Sequence, residues 1–342
     1  MIYIGLDVHK GYSRAGLFNP ATGELKDLGN VRNQLEDMAK LLEQIPEEKC
    51  IVLEAGRNCH WMAATLEPLA QQVWIVNPAE ARKLQARMAK TDKRDATALA
   101  FWAAKGALQP LWRPPAETLD LRELTRGKTG LTRLASKVRN MIRSLLARHG
   151  YECPYTDLLG KKAQSWLESV TLKGYAGKLL AILRELLPRL QEKAEQFEKA
   201  VEKEAPQHKE ARRLMSIPGI GPFLGLAMAV EIGEAKRFAT STKLRGYSGL
   251  TASVSQSNKR DSRGPLTKRG NRWLRYAAVL AAQRMVNMRS ADPRLKRAFY
   301  SVALKHGRNP AKVDCARRLL DLCHHLLVQE EDYQSPEARR IA

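Results

Sequence analysis

Four acidic side chains in the first hundred residues have the type and order that could hold a divalent cation. They are Asp7 in Gly5-Leu6-Asp7-Val8, Glu54 in Ile51-Val52-Leu53-Glu54, and Asp92 with Asp95 in Lys90-Thr91-Asp92-Lys93-Arg94-Asp95-Ala96. Asp7 and Glu54 close short apolar runs that read as buried strands, whereas Asp92 and Asp95 open a helical pattern three residues apart and so share one helix face. Carboxylates arriving from two strands and one helix are the all-oxygen donor set that magnesium prefers. One or two such ions activate a nucleophile and stabilise a leaving oxygen in phosphoryl transfer. Each acid taken alone reads as a surface residue or a helix cap, and Asp92 would suit the N-terminal end of a helix dipole. His9 and His60 lie nearby in sequence and are assigned no role.

A second chemical stretch follows Tyr247-Ser248-Gly249-Leu250-Thr251, where Ser253, Ser255, Ser257 and Ser262 stand among Lys259, Arg260 and Arg263. A serine hydroxyl surrounded by cations is suited to attack phosphorus, because the cations stabilise the charge that develops. The plain alternative is a solvated polar loop over Ala252 to Arg263. Upstream, Ser216-Ile217-Pro218-Gly219-Ile220-Gly221-Pro222 is similar to the turn of helix-hairpin-helix modules, in which Gly219 and Gly221 would free backbone N–H groups to grip phosphate. Such a grip ignores base sequence; a tight interhelical turn is the simpler reading. Lys268, Arg269, Arg272 and Arg275 then line the start of a helix beside Leu274, Ala277, Ala278 and Ala281, the pattern of a helix that tracks a nucleic-acid backbone. The closing helix, Lys312 to Val328, reads as core.

Charge points to the same partner. Fifty-eight Lys and Arg against 36 Asp and Glu leave a net +22, a field that favours a polyanion, with nucleic acid foremost. The excess is concentrated: Lys243 to Arg318 holds 19 basic residues and three acids, Asp261, Asp292 and Asp314. Cys50, Cys59, Cys153, Cys315 and Cys323 are odd in number and never paired as CxxC, which argues against a disulfide framework or a zinc site and fits a reducing cytoplasm. No apolar run approaches the roughly 18 residues of a membrane helix, and a strand beginning at Ile2 leaves no room for a signal peptide. A soluble, cytoplasmic, nucleoid-associated protein without membrane contact is expected.

The elements that must position these residues fall into three predicted domains. Residues 1–115 read as a mixed sheet covered by helices, with strands at Ile2 to Val8, Arg14 to Phe18, Glu24 to Leu28, Cys50 to Leu53 and Val73 to Val76, and helices over Gln34 to Gln44 and Trp61 to Ala70. Pro110, Pro114 and Pro115 mark a boundary. Residues 116–208 follow heptad spacing at Leu124, Leu131, Leu134, Val138, Met141 and Leu145. A second long helix from Lys178 to Glu204 carries Leu179, Leu183, Leu186, Leu190, Phe197 and Val201, with a kink expected at Pro188. The pair reads equally as a coiled coil, antiparallel or intermolecular, and as a helical bundle within one chain. Residues 209–342 form a third, mostly helical unit.

With these motifs in place, the chain resembles insertion-sequence transposases of the DEDD class, the family related to the Piv DNA invertase that includes the bridge-RNA-guided recombinases. The resemblance is carried by Gly5-Leu6-Asp7, Leu53-Glu54-Ala55, Lys90-Thr91-Asp92-Lys93-Arg94-Asp95-Ala96, Ile217-Pro218-Gly219-Ile220-Gly221, Gly249-Leu250-Thr251 with Gln256-Ser257, and Lys268-Arg269-Gly270-Asn271. It implies a RuvC-like, RNase H-type domain with magnesium at Asp7, Glu54, Asp92 and Asp95, a coiled-coil linker, and a C-terminal transposase domain whose nucleophile is Ser257. The implied reaction is serine attack on a DNA phosphodiester, a phosphoserine-linked intermediate, and strand exchange between donor and target duplexes, guided by a structured RNA from the element. A homodimer or homotetramer is implied. Members usually have Pro-Ser after Gly-Leu-Thr and a glycine after the serine; this chain has Ala252-Ser253 and Asn258. The rival enzyme is a RuvC-like junction endonuclease in which the same acids activate water. An actin-like sugar kinase lacks its further Gly-rich loops here, and a non-catalytic nucleic-acid scaffold would leave the acids unexplained.

Overall fold

The computed structural model describes residues 1–85, 92–257, 260–289 and 291–335, and the side chains of these except 85, 92–94, 252–257 and 260–265. The chain divides into two compact units, Met1–Arg113 and Pro114–Ala342.

The first unit is built on strands β1 (Ile2–Val8), β2 (Tyr12–Phe18), β3 (Leu25–Arg32), β4 (Lys49–Glu54) and β5 (Gln72–Val76), with helices α1 (Leu35–Glu43), α2 (Cys59–Leu66), α3 (Pro78–Gln85) and α4 (Asp92–Ala104). The sheet order is β3-β2-β1-β4-β5. β1, β2 and β3 form an antiparallel meander, and β1, β4 and β5 run parallel. Alternation along β1 decides which helix covers which face. Ile2, Ile4 and Leu6 pack with Met38, Leu42, Met62, Ala63 and Leu66 of α1 and α2. The opposite face carries Cys50 and Val52 of β4 against Leu99 and Ala103 of α4, with Tyr3 beside them. Gly5 and Asp7, two and four residues beyond Tyr3, belong to that second face.

α4 lies unusually close to the sheet, and two glycines allow it. Gly5 and Gly16 are register partners across β1 and β2. A Cβ on Gly5 would stand 2.0 Å from the Ala96 carbonyl oxygen, and one on Gly16 would stand 2.5 Å from the Thr97 nitrogen. Neither obstacle is a side-chain tip that could swing aside; both are helix backbone.

The second unit contains α5 (Ala116–Arg148), α6 (Lys161–Ser169), α7 (Gly174–Glu204), α8 (Lys209–Met215), α9 (Pro222–Ile232), α10 (Ser241–Ser248), strands β6 (Ala252–Ser257) and β7 (Arg260–Leu266), then α11 (Arg272–Met285), α12 (Pro293–His306) and α13 (Arg308–Gln329). α5 and α7 run antiparallel. Gly127 meets Phe197, Lys128 pairs with Glu198 at 2.5 Å, and Arg139 donates to Gln191 at 2.9 Å. The seam departs from the predicted heptad: Leu134 and Met141 are 51% and 40% exposed, while Ala135, Val138, Ile142 and Leu145 are buried. A straight helix drifts about 20° per heptad relative to a strict seven-residue repeat, which carries the buried stripe onto the neighbouring positions. α7 continues through Pro188 as one helix.

α9 forms the centre of the C-terminal core, with every residue from Phe223 to Ile232 buried and α11 and α13 packed around it. Leu319, Leu320 and Leu327 of α13 are buried there. The stretch predicted as a polar loop over Ala252 to Arg263 is instead an antiparallel hairpin, paired from Ala252↔Leu266 to Ser257↔Arg260. Its alternating Ser-Val-Ser-Gln-Ser segment is polar in composition but keeps the period of two that a pleated strand needs. No helix among the described residues is long and apolar enough to cross a membrane, and the cysteines are free.

Replacing Gly5 by alanine is expected to cost roughly 2–3 kcal/mol through forced overpacking against α4. Gly11→Ala, at a position with nothing within 4 Å, is the control and should stay within about 0.5 kcal/mol. Urea unfolding of the full chain measures both; equal stabilities would show that α4 does not need the glycine.

Candidate active site

Asp7 sits one residue from the end of β1, and Glu54 ends β4. The parallel register Leu6↔Leu53 sets the two acids side by side at the carboxyl ends of adjacent strands. Both lie on the α4 face by strand alternation. Ala96 is the residue whose carbonyl abuts Gly5, so Asp95, immediately before it, arrives over the same strand ends. The tight packing of helix on sheet therefore converts three distant sequence positions into one acidic cluster.

The electrostatics register that convergence. Burial pushes the Glu54 carboxyl above its ordinary range, the Asp7 and Asp95 carboxylates raise it further, and Arg82 of α3 opposes them. His9 Nε2 stands 3.3 Å from Asp7 Oδ2, with its ring 4.8 Å from that of Tyr12. Arg14, the cross-strand partner of Asp7, donates to Asp27 at 3.1 and 2.5 Å. The turn carrying His9 is fixed by Asn33, which donates to the His9 carbonyl at 2.8 Å and accepts from Ser13 Oγ at 2.6 Å. His9 and Arg82 were not singled out by the sequence: a lone histidine and an arginine on a short helix carry no pattern until the fold brings them to the acids.

Asp92 opens α4 one turn before the end facing the strands, but its side chain lies outside the described residues. Among those described, no group of three or more His, Cys, Asp or Glu side chains is arranged to hold a metal ion. The donor chemistry nevertheless fits a hard cation. Burial first, and then the nearby Asp7 and Asp95 carboxylates, raise the proton affinity of Glu54, and the repulsive part of that is what a bound cation would relieve.

In the second unit, the side chains of Ser257, Arg260 and Arg263 and the whole of Lys259 lie outside the described residues, while the backbone places Ser257 at the tip end of β6 opposite Arg260. Lys268, Arg269 and Arg272 are exposed, and the Arg272 guanidinium lies 5.1 Å from the Trp273 ring. Arg275 has a local partner, donating to the Ser248 carbonyl at 2.8 Å. Gly219 has a positive φ of 96° and packs towards Met285 and Met288; Gly221 precedes α9 as its cap, with Pro222 at the first helical position.

A mixed sheet with acids at the carboxyl ends of its central parallel strands and on the helix across them is consistent with an RNase H-like domain of the DEDD class. Comparison with known proteins gives this class a family. Residues 4–150 match the family model of DEDD transposases of the IS110 group, described as Transposase, and residues 211–301 match the one described as Transposase IS116/IS110/IS902 family. Together the two span more than half of the chain. Similar proteins include a probable family 20 transposase of Pseudomonas aeruginosa, 25% identical over 75% of this chain and 75% of its own length. The transposase for insertion sequence element IS1111A of Coxiella burnetii is 24% identical over 83% of this chain and 79% of its own. That for IS1328 of Yersinia enterocolitica is 25% identical over 68% and 70%. The chain belongs to the IS110 family of DEDD-type transposases, enzymes that cleave and recombine DNA.

The acid cluster predicts a pH signature with a definite sign. A carboxyl whose folded pKa lies above its unfolded value stabilises the fold when protonated, and that contribution is lost as pH rises through the folded value. In the metal-free protein, Glu54→Gln should match wild type in thermal midpoint near pH 4 and exceed it increasingly towards about pH 7. Magnesium should narrow the gap by stabilising wild type alone. A constant difference across pH would mean that Glu54 is not held in a repulsive cluster.

Proposed function

We propose that the chain is a magnesium-dependent DNA recombinase of an insertion sequence in which Asp7, Glu54, Asp92 and Asp95 hold one or two ions and Ser257 is the nucleophile. The observation that supports the metal assignment is the placement of Asp7 and Glu54 at the ends of adjacent parallel strands beneath Asp95 of α4, where burial, Asp7 and Asp95 push the Glu54 carboxyl up. Bound there, magnesium would supply electrostatic stabilisation of charge on phosphate oxygens and ease deprotonation of the attacking group. His9, close to Asp7, orients that carboxylate. Arg82 limits the excess negative charge of the cluster and opposes the rise in the proton affinity of Glu54.

The Ser257 hydroxyl attacks phosphorus, a deoxyribose oxygen leaves with the electron pair of the broken P–O bond and takes up a proton, and the strand end stays esterified to the serine. A hydroxyl of the partner strand then attacks the phosphoserine and regenerates the serine. Retaining the phosphate in an ester conserves the bond needed for rejoining, which is what separates strand exchange from hydrolysis. Lys259 together with Arg260 and Arg263 of β7, and Lys268, Arg269 and Arg272 at the base of the hairpin, bind DNA phosphates, as do the backbone N–H groups around Gly219 and Gly221 in a helix-hairpin-helix role. The resemblance to bridge-RNA-guided members, joined to a net charge of +22, supports an element-encoded guide RNA and a homo-oligomer that handles two duplexes.

Incubating the protein with magnesium, its element's RNA and nicked DNA from the element's ends is expected to give a covalent adduct mapping to Ser257. Ser257→Ala should abolish the adduct, and Asp7→Asn should lower its formation at least ~100-fold. Cleaved free ends without any adduct would replace this reading with metal-activated water.

A further inference from the structure

One charged side chain stands inside the most apolar helix of the protein. Glu231 is 1% exposed, and the rest of α9 from Phe223 to Ile232 is buried with it. Its carboxylate is fully engaged: Oε1 accepts from Arg126 Nε at 2.7 Å, and Oε2 accepts from Arg126 Nη2 at 2.9 Å and from Asn271 Nδ2 at 2.7 Å. Arg122, 5% exposed, donates to the carbonyls of Val230 and Glu231 at 2.8 and 3.4 Å. A buried ion pair is often no more stabilising than well-packed apolar residues of the same volume. Stability therefore does not account for it; geometry does.

Asn271 is the recipient of that geometry. Its Oδ1 caps α11 by accepting from the Trp273 and Leu274 backbone N–H groups at 2.9 and 3.0 Å, and its Nδ2 donates both to Glu231 and, at 3.1 Å, to the Tyr247 hydroxyl. Its own N–H donates to the Tyr247 carbonyl at 2.7 Å. All four side-chain hydrogen-bonding positions of the amide are used. Asn271 is also the point where the chain leaving the β6–β7 hairpin enters α11, and Tyr247 lies just before the chain enters the hairpin.

The two connecting segments are pressed together at that base. A Cβ on Gly249 would lie 2.3 Å from the Arg269 carbonyl oxygen, and one on Gly270 would lie 2.3 Å from that of Tyr247. Both glycines have positive φ, 68° and 108°. Thr267 N–H donates to the Thr251 carbonyl at 3.0 Å to close the ladder, and Arg317 donates to the Leu250 carbonyl at 2.5 Å. A two-stranded hairpin is marginal on its own, so its direction is set where it is clamped.

We infer that Glu231, Arg126 and Asn271 are positioning residues that fix the β6–β7 hairpin against the helical core, and that strand cleavage depends on this clamp. The inference rests on the reading that the hairpin carries the nucleophile. Glu231 acts through Asn271, and Arg126 holds its carboxylate in one orientation.

The test relocates a charge. Asn271→Asp keeps a helix cap but sets a second carboxylate against Glu231. The double variant Glu231→Gln with Asn271→Asp restores a donor facing an acceptor across that contact and removes the charge repulsion. Cleavage of nicked DNA from the element's ends should fall roughly 100-fold in Asn271→Asp, the penalty for a misplaced reacting group, and recover at least ~10-fold in the double variant. Amide exchange at Thr267 and Asn271 should accelerate in the single variant and slow again in the double, with the α9 and α13 amides unchanged in both. Asn271→Ser, which keeps a cap and loses both donated bonds, covers the case in which the aspartate variant does not fold. Folded single variants that cleave at the wild-type rate, or a double variant no better than the single, would overturn the inference. A wild-type protein that cleaves without forming an adduct would remove the serine reading, while the ratios among variants would still decide the clamp.

Discussion

The closeness of α4 to β1 and β2 is the constraint on which the rest of the first unit depends. Side chains ordinarily hold a helix away from the sheet that it covers. Here Gly5 and Gly16, paired across the two strands, remove those side chains where Ala96 and Thr97 come down. The gain is not burial, since a glycine contributes no apolar area and carries an entropic cost. The gain is position: a helix entering this low brings Asp95 to the strand ends where Asp7 and Glu54 already lie. Carboxyl ends of central parallel strands, where the connections diverge to either side, are where open α/β sheets collect ligands. The meander on one side of β1 and the crossover to β4 on the other make such a place here.

The second unit solves an analogous problem with the opposite means. The first unit lets backbone approach backbone by deleting side chains; the second does so at Gly249 and Gly270 and then locks the approach with a buried carboxylate. Glu231 is tolerated in α9 only because Arg126 and Asn271 satisfy both of its oxygens. A half-satisfied version would cost more than an apolar residue. The network is therefore all or none, a suitable property for an element whose task is to hold one orientation.

The positions of Asp7 and Glu54 at strand ends are legible in the sequence because the strands have an unmistakable pattern, and the five strands fall where alternation and apolar runs put them. The glycine of Gly5-Leu6-Asp7 was part of the same signal, although its reason, the contact with Ala96, needs the third dimension. Over Ala252 to Arg263 the serine-rich composition suggests a loop and masks the period of two that the paired strands follow. Heptad spacing puts Leu134 and Met141 in a seam that the helix drift gives to Ala135 and Ile142. Glu231 was passed over for a different reason: a single acid at the end of Pro-Phe-Leu-Gly-Leu-Ala-Met-Ala-Val looks like a solvated helix terminus, and only the neighbours from α5 and α11 reveal it as buried.

The distribution of charge imposes a last condition. The 19 basic residues from Lys243 to Arg318 supply long-range attraction for DNA, whereas a cluster of carboxylates repels phosphate. Raised proton affinity at Glu54 softens that repulsion without removing it, since Asp7 and Asp95 remain beside it. A cation held by the acids would reverse the local sign, so that the cluster attracts phosphate only when loaded. Loading would also displace a proton from Glu54 wherever it is still bound, which would couple metal affinity to pH and strengthen it as pH rises. On the proposed reading, the mutual repulsion of these carboxylates, sustained by the glycine-mediated packing of α4, would make productive contact with DNA conditional on the ion.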